Sequence, residues 1–152
     1  MPLQYESPEF SEELKKRVNE DKEFHDKAKG VNLKILIIIK DIPLATFSNY
    51  SSCELVERKH IPPNEVEELR KKVDYVVEIP TYELSVDVAT GRKSLETLFL
   101  SRQLKLEGSI FKALQYRDAI EKVGKITAQL VSESTIPSKE DFAKMLRELK
   151  LL

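Results

Sequence analysis

Ser94 to Tyr116 reads SLETLFLSRQLKLEGSIFKALQY, and these 23 residues hold a short helix, a strand and the start of a second helix. Leu95, Leu98 and Phe99 recur at i, i+3 and i+4 behind Ser94, a good N-cap, while Leu104 and Leu106 alternate with Lys105 and Glu107. Gly108-Ser109 ends the strand and caps the helix that follows. Upstream, YVVEIPT (75–81) has the composition of a strand, and YELSVDVATG (82–91) that of a helix capped by Thr81 and stopped at Gly91. Helix, strand and helix thus follow a strand–helix pair. Leu84 and Val88 stack one turn apart, with Tyr82, Val86 and Ala89 on the neighbouring face, so this helix needs apolar neighbours on two sides or borders a cavity.

This order resembles the sterol carrier protein 2-like family, with Gly91, Leu104, Lys105, Leu106, Gly108, Lys112 and Ala113 where the family pattern wants them. The resemblance covers roughly residues 31–123. It implies a pocket more than a reaction, because no residue of the family performs one universal chemical step. One departure stands out: the chain reads Ser101-Arg102-Gln103 where the family opens its strand with glycine, and a long side chain there is expected to narrow or reshape the cavity beneath.

Working outward to the N-terminus, VNLKILIIIKD (31–41) carries Leu33, Ile35, Ile37 and Ile39 on one face and Leu36 and Ile38 on the other, the pattern of a strand inside the fold. Two further antiparallel strands follow, separated by turn residues near 49–52, and make a meander of three. Cys53 is expected at this hairpin as a half-buried residue and His60 as a surface residue at a strand end. Before them, Ser7-Pro8-Glu9 opens a helix on which Phe10, Leu14 and Val18 line one face. Phe24 and Ala28 prolong it toward Gly30, as one helix or as two with a break near Asn19, and His25 is expected to face solvent. Pro62-Pro63 stops the third strand, and Asn64 with Glu67 fits a capping box for a short surface connector carrying Val66, Leu69 and Val73.

Toward the C-terminus, the helix from Ser109 carries Ala113, Tyr116, Ala119, Ile120 and Val123 as a core stripe, leaving Ile110, Phe111 and Leu114 outside it. Gly124 allows a bend, and SESTIPS (132–138) reads as a linker. Ser138 and Asp141 then cap a final helix with Phe142, Met145, Leu146 and Leu149 at i, i+3, i+4 and i+7, extended by Leu152. That helix can dock on the core, close as a lid, or swap onto a second subunit.

Charge and composition bound the function. Twenty-five basic and 26 acidic residues leave a formal charge of −1, which gives no electrostatic reason to expect DNA, RNA or an anionic membrane as the standing partner. A charged fraction of 34% with four glycines and no tryptophan suggests a hot-growing source. Cys53 is the single cysteine, so a reducing, cytoplasmic setting is expected. The opening MPLQYESPEF does not read as a signal peptide, the closing residues do not read as a peroxisomal address, and no apolar run spans a bilayer. Phosphate loops, CxxC, HExxH and GxSxG are absent from the sequence, and no cofactor or metal is expected.

The expected architecture is a single α/β domain of α+β type, roughly five strands, mostly antiparallel, covered by helices on one face and enclosing an apolar cavity. Its parts are an N-terminal helical segment (1–30), the core (31–123) and a C-terminal amphipathic helix (138–152). By resemblance, the function is non-covalent binding or carrying of a lipid or fatty-acyl ligand, sterol- or isoprenoid-like, with transient membrane contact and a homodimer both compatible. Phe47, Leu84, Val88, Leu98, Phe99, Phe111 and Leu114 are the expected lining, with Met145 and Leu149 on a lid; plain core packing is the alternative for each. Two other classes stand beside this one: an accessory or oligomerisation module without a ligand, and an enzyme on a lipid-like substrate built around Asp87 with Arg102 or Tyr82. Asp87 has the simpler reading of a solvent-edge pair with Arg92 or Lys93.

Overall fold

The computed structural model describes residues 2–151. Ser7 caps α1 (Pro8–Glu20), its hydroxyl accepting from the Phe10 N–H, with Pro8 opening the helix. Asp21 ends α1 and caps α2 (Lys22–Lys27), its carboxylate accepting from the Phe24 N–H at 2.7 Å. The N-terminal segment is therefore two helices. Phe10, Leu14, Val18 and Phe24 are all buried in the main core.

β1 (Leu33–Ile39), β2 (Leu44–Ser51) and β3 (Glu54–Ile61) form the antiparallel meander. β4 (Tyr75–Ile79) returns parallel to β1, and β5 (Lys105–Glu107) pairs antiparallel with β4. The result is an open, mixed sheet in the order β3-β2-β1-β4-β5, with β1 at its centre. A central strand apolar on both sides has to be covered on both sides. Ile35 and Ile37 face the helical layer, while Leu36 and Ile38 join Ala45, Phe47, Ile61 and Val76 on the opposite face.

α3 (Val66–Arg70) covers that opposite face, which the sequence reading left bare. It follows a 3-10 turn at Pro63–Glu65, and it lays Val66 and Leu69, with Val73 beyond its end, on the second cluster. The segment is a cover rather than a surface connector. Asn64 does not cap it: Pro63 starts the 3-10 turn and draws Asn64 inside, leaving α3 without a side-chain cap.

Over the other face lie α4 (Tyr82–Ala89), α5 (Leu95–Leu100), α6 (Ile110–Gln115) and α7 (Arg117–Ser132). Thr81, Ser94 and Ser109 cap the first three as expected. The break in the long C-terminal helix falls at Tyr116, whose φ of −98° and ψ of 9° leave the helical region, and not at Gly124, through which α7 runs unbroken. Gly108 approaches the chain so closely that a Cβ would lie 2.5 Å from the Asp74 carbonyl oxygen, and its φ of +136° also demands glycine. Below it the Tyr75 hydroxyl donates to the Ser109 carbonyl.

α8 (Lys139–Glu148), capped by Ser138, buries Phe142 and Leu146 completely. Phe142 stacks on Tyr82 with ring centroids 4.7 Å apart. The helix is docked on the main core, as the first of its three readings held, and Leu152 lies outside the described residues. Thr135 bridges to Gln4, and the Tyr5 N–H donates to the Thr135 carbonyl at 2.8 Å, so the two ends of the chain are clasped.

Candidate sheet–helix site

Four of the expected lining residues converge. Leu84 and Val88 on α4, and Leu98 and Phe99 on α5, pack on one cluster with Val77 and Ile79 of β4 and Leu104 before β5. Leu98 is fully buried, whereas Leu84, Val88 and Phe99 keep partial access to water. The floor beneath them is also accessible: Ile35 and Ile37, on the helical face of the central strand, and Leu106 of β5 are only half-buried. Val86 of α4, with Ala113, Tyr116, Ile120 and Val123 of α6 and the first half of α7, is likewise half-buried but packs on the neighbouring main core. The total accessible surface is 8674 Å², about a tenth above the roughly 7,900 Å² typical of a compact chain of 17.5 kDa.

The other expected lining residues are not brought to this place. Phe47 is buried, but on the opposite face of the sheet with Leu36 and Val76, because successive strand residues alternate sides and it falls on the wrong parity. Phe111 and Leu114 point outward from α6 and are 80% and 59% exposed, since Ala113 and Tyr116 take the inward stripe. Met145 is half-buried on α8, its sulfur accepting from the Gln4 amide at 3.2 Å, and Leu149 is exposed. Ile35 and Ile37 are absent from the expected lining because a strand apolar on both faces looks buried throughout, and Leu106 because its alternation with Lys105 and Glu107 reads as an ordinary core-facing position. The alternation of Ile35 and Ile37 was the one signal available.

Arg102 does not fill the site. It is exposed, with a left-handed φ of 61°, and stands just past α5, where its N–H donates to the Phe99 carbonyl and the Gln103 N–H to the Leu98 carbonyl. That pair of bonds is the Schellman closure of a helix end. Glycine suits this position through its backbone, and an arginine satisfies the same bonds while its side chain stays in water.

The polar groups on which an enzymatic reading rested are dispersed. Asp87 sits 3.4 Å from Arg92 and 3.6 Å from Lys93. The Tyr82 hydroxyl donates to the Pro137 carbonyl at 2.9 Å, and burial raises its phenol well above the ordinary range. A buried polar group that the sequence did not announce lies under α1. Glu6 and Arg58 pair at 2.7 Å, and Arg58 also donates to the Ser11 hydroxyl at 2.6 Å. His60 is tied into this cluster rather than lying at the surface. Its Nε2 donates to the Glu6 carbonyl at 2.7 Å, and its Nδ1 shares a hydrogen bond with the Thr46 hydroxyl at 2.8 Å. His25, expected in water, is half-buried, with Nε2 2.8 Å from the Asn19 carbonyl. Every member of this arrangement has a structural partner. Burial also pushes the Tyr50 phenol, at the far end of the same sheet face, up to about 12.

Two surface concavities, of about 670 and 390 Å³, lie along α8. The first is lined by Asp41, Lys139 and Arg147 among others, the second by Gln4, Asp141 and Lys144 among others, and neither reaches the apolar lining between sheet and helices. Among the described residues no group of three or more His, Cys, Asp or Glu is placed to hold a metal ion, and no helix is long and apolar enough to cross a membrane.

No protein-family model matches the chain, and no curated protein matches it. Solved structures do. A conserved hypothetical protein from Thermus thermophilus, described as possibly a sterol carrier protein, superposes with a TM-score of 0.68 at 16% identity, over 87% of this chain and 91% of its own. A crystal structure of sterol carrier protein 2 gives 0.65 at 15% identity, over 80% and 95%. The stereoselective inverting sec-alkylsulfatase of a Pseudomonas species gives 0.50 at 19% identity over 72% of this chain, but only 15% of the enzyme. At these identities the likeness shows the fold: the chain has the sterol carrier protein 2-like architecture.

Proposed function

We propose that this chain binds a lipid or fatty-acyl ligand non-covalently between the sheet and helices α4 to α7, as a carrier without a chemical step of its own. The observation that carries the reading is the partial accessibility of Ile35 and Ile37. These residues sit on the central strand, flanked by strands on both sides, and face the helical layer, where ordinary packing leaves no access. Leu84, Val88, Phe99 and Leu106 extend the same surface, and burying an acyl chain against it yields about 0.8 kcal/mol per methylene. The names of the first two structural neighbours agree with this reading. Asp87 lies beside Arg92 and Lys93 and Arg102 is in water, which favours binding over catalysis. A reducing cytoplasm suits a chain with one cysteine.

Native mass spectrometry of protein purified without detergent, followed by extraction and lipid identification, is the direct test. A stoichiometric acyl or isoprenoid species is the expected result. Val88→Trp fills the space from α4 and is expected to weaken binding of a fluorescent fatty acid by at least about tenfold with the thermal transition retained. An empty protein that takes up no fluorescent fatty acid removes the reading. A second reading, an accessory module without a ligand, is favoured by the sulfatase, in which a domain of this fold makes up a small share of a large enzyme. An empty, concentration-dependent dimer would support it.

A further inference from the structure

Among the described residues, the most exposed large apolar side chains are gathered in one short stretch. Leu100 is 72% exposed at the end of α5, and Ile110, Phe111 and Leu114 are 53%, 80% and 59% exposed on α6. Their direction is set by packing: Ala113 and Tyr116 hold α6 on the main core, and Lys112 pairs with Asp74 at 3.0 Å beside it. Glu96 of α5 pairs with Arg117, at the start of α7, at 3.2 Å, tying the two parts of the stretch together. The same stretch carries a surplus of basic residues. Between Arg92 and Arg117 six basic residues stand against two acidic ones, in a chain whose overall formal charge is −1. Five of the six have a carboxylate within 4 Å, Arg92 and Lys93 at Asp87, Lys105 at Glu107, Lys112 at Asp74 and Arg117 at Glu96, while Arg102 is exposed and has no such partner among the described residues.

Exposed apolar side chains on a stretch with a surplus of basic residues match a bilayer interface with anionic headgroups. We propose that α6 and the end of α5 dock the protein on such a bilayer, with Phe111, Leu114, Ile110 and Leu100 entering the interfacial layer and Arg102 and Lys105 meeting headgroup phosphates. A second copy of the chain fits this face poorly. A two-fold contact would bring basic residues against basic ones, and a six-residue helix offers far less than the roughly 800 Å² per partner of a stable interface. The inference stands on this patch alone and goes beyond the ligand reading.

The test is co-sedimentation of the full chain with phosphatidylcholine vesicles made with and without phosphatidylglycerol, at low and high salt. Binding is expected to need the anionic lipid and to fall with salt. Phe111→Glu with Leu114→Glu, at side chains already in water, is expected to lower partition by at least about tenfold with an unchanged melting transition. Arg102→Glu with Lys105→Glu is expected to remove the preference for phosphatidylglycerol. Ile136→Glu, outside the patch, is expected to bind as the parent does. Equal partition of the parent and the Phe111/Leu114 variant overturns the proposal, as does a parent dimer that this variant makes monomeric. Val88→Trp separates this inference from the ligand reading: it should lose fatty-acid binding and keep vesicle partition within about twofold, and loss of both would overturn the docking assignment.

Discussion

At Arg102 a side chain expected to shape the cavity matters for the backbone instead. A non-glycine residue in the left-handed region costs about 1–2 kcal/mol, part of which returns as unfolded-chain entropy when glycine replaces it. Arg102→Gly is therefore expected to raise stability by about 1 kcal/mol, seen as a rise of about 2–4 °C in the thermal transition, and to leave ligand affinity unchanged. His60 teaches the complementary lesson. It lies at a strand end as its spacing indicates, but register sets it opposite Thr46, facing α1 and the Glu6 carbonyl rather than the surface. Contacts between residues more than fifty positions apart are not legible from local pattern.

Elements were the most legible level of this chain. Ser7, Thr81, Ser94, Ser109 and Ser138 all cap the helices their spacing announced, because capping depends on residues a few positions apart. The long C-terminal helix was divided at the wrong residue, since glycine is a weak breaker where packing holds the helix on both sides. Gly124 is exposed and helical, and a Cβ added to it would meet nothing within 4 Å, so Gly124→Ala is expected to stabilise the protein by about 0.5–1 kcal/mol in denaturant titration. Between α1 and α7, Arg17 donates to both carboxylate oxygens of Glu133 at 3.1 and 2.8 Å and, with Gln129, holds that carboxyl down at about 2. A carboxyl lowered by folding stabilises fully above its unfolded value near 4.5, and its contribution is lost as pH falls toward 2. Melting curves from pH 6 to about 2.5 are expected to show a shallower acid loss for Glu133→Gln than for the parent.

For the whole molecule, the order of strands and helices was readable and the use of the space between them only half so. Strand number, the β1–β3 meander and the placing of Leu84, Val88, Leu98 and Phe99 around one cluster all follow from periodicity and from the family resemblance. Which face of the sheet Phe47 would join, and which way Phe111 would turn on α6, depended on strand parity and on competition for the inward stripe. An open sheet has two edges. β5 is only three residues long, whereas β3 leaves eight residues of backbone at the margin, with Asn49 and Tyr50 of its neighbour marking a bulge in the pairing. Along that margin Glu57 and Lys59 pair at 2.7 Å in water, and Glu54 adds a further charge. A kinked, ionic rim is a poor template for a strand from another molecule. Glu57→Val with Lys59→Val is accordingly expected to turn it into a seed for cross-β fibrils, visible as thioflavin fluorescence at concentrations where the parent stays clear.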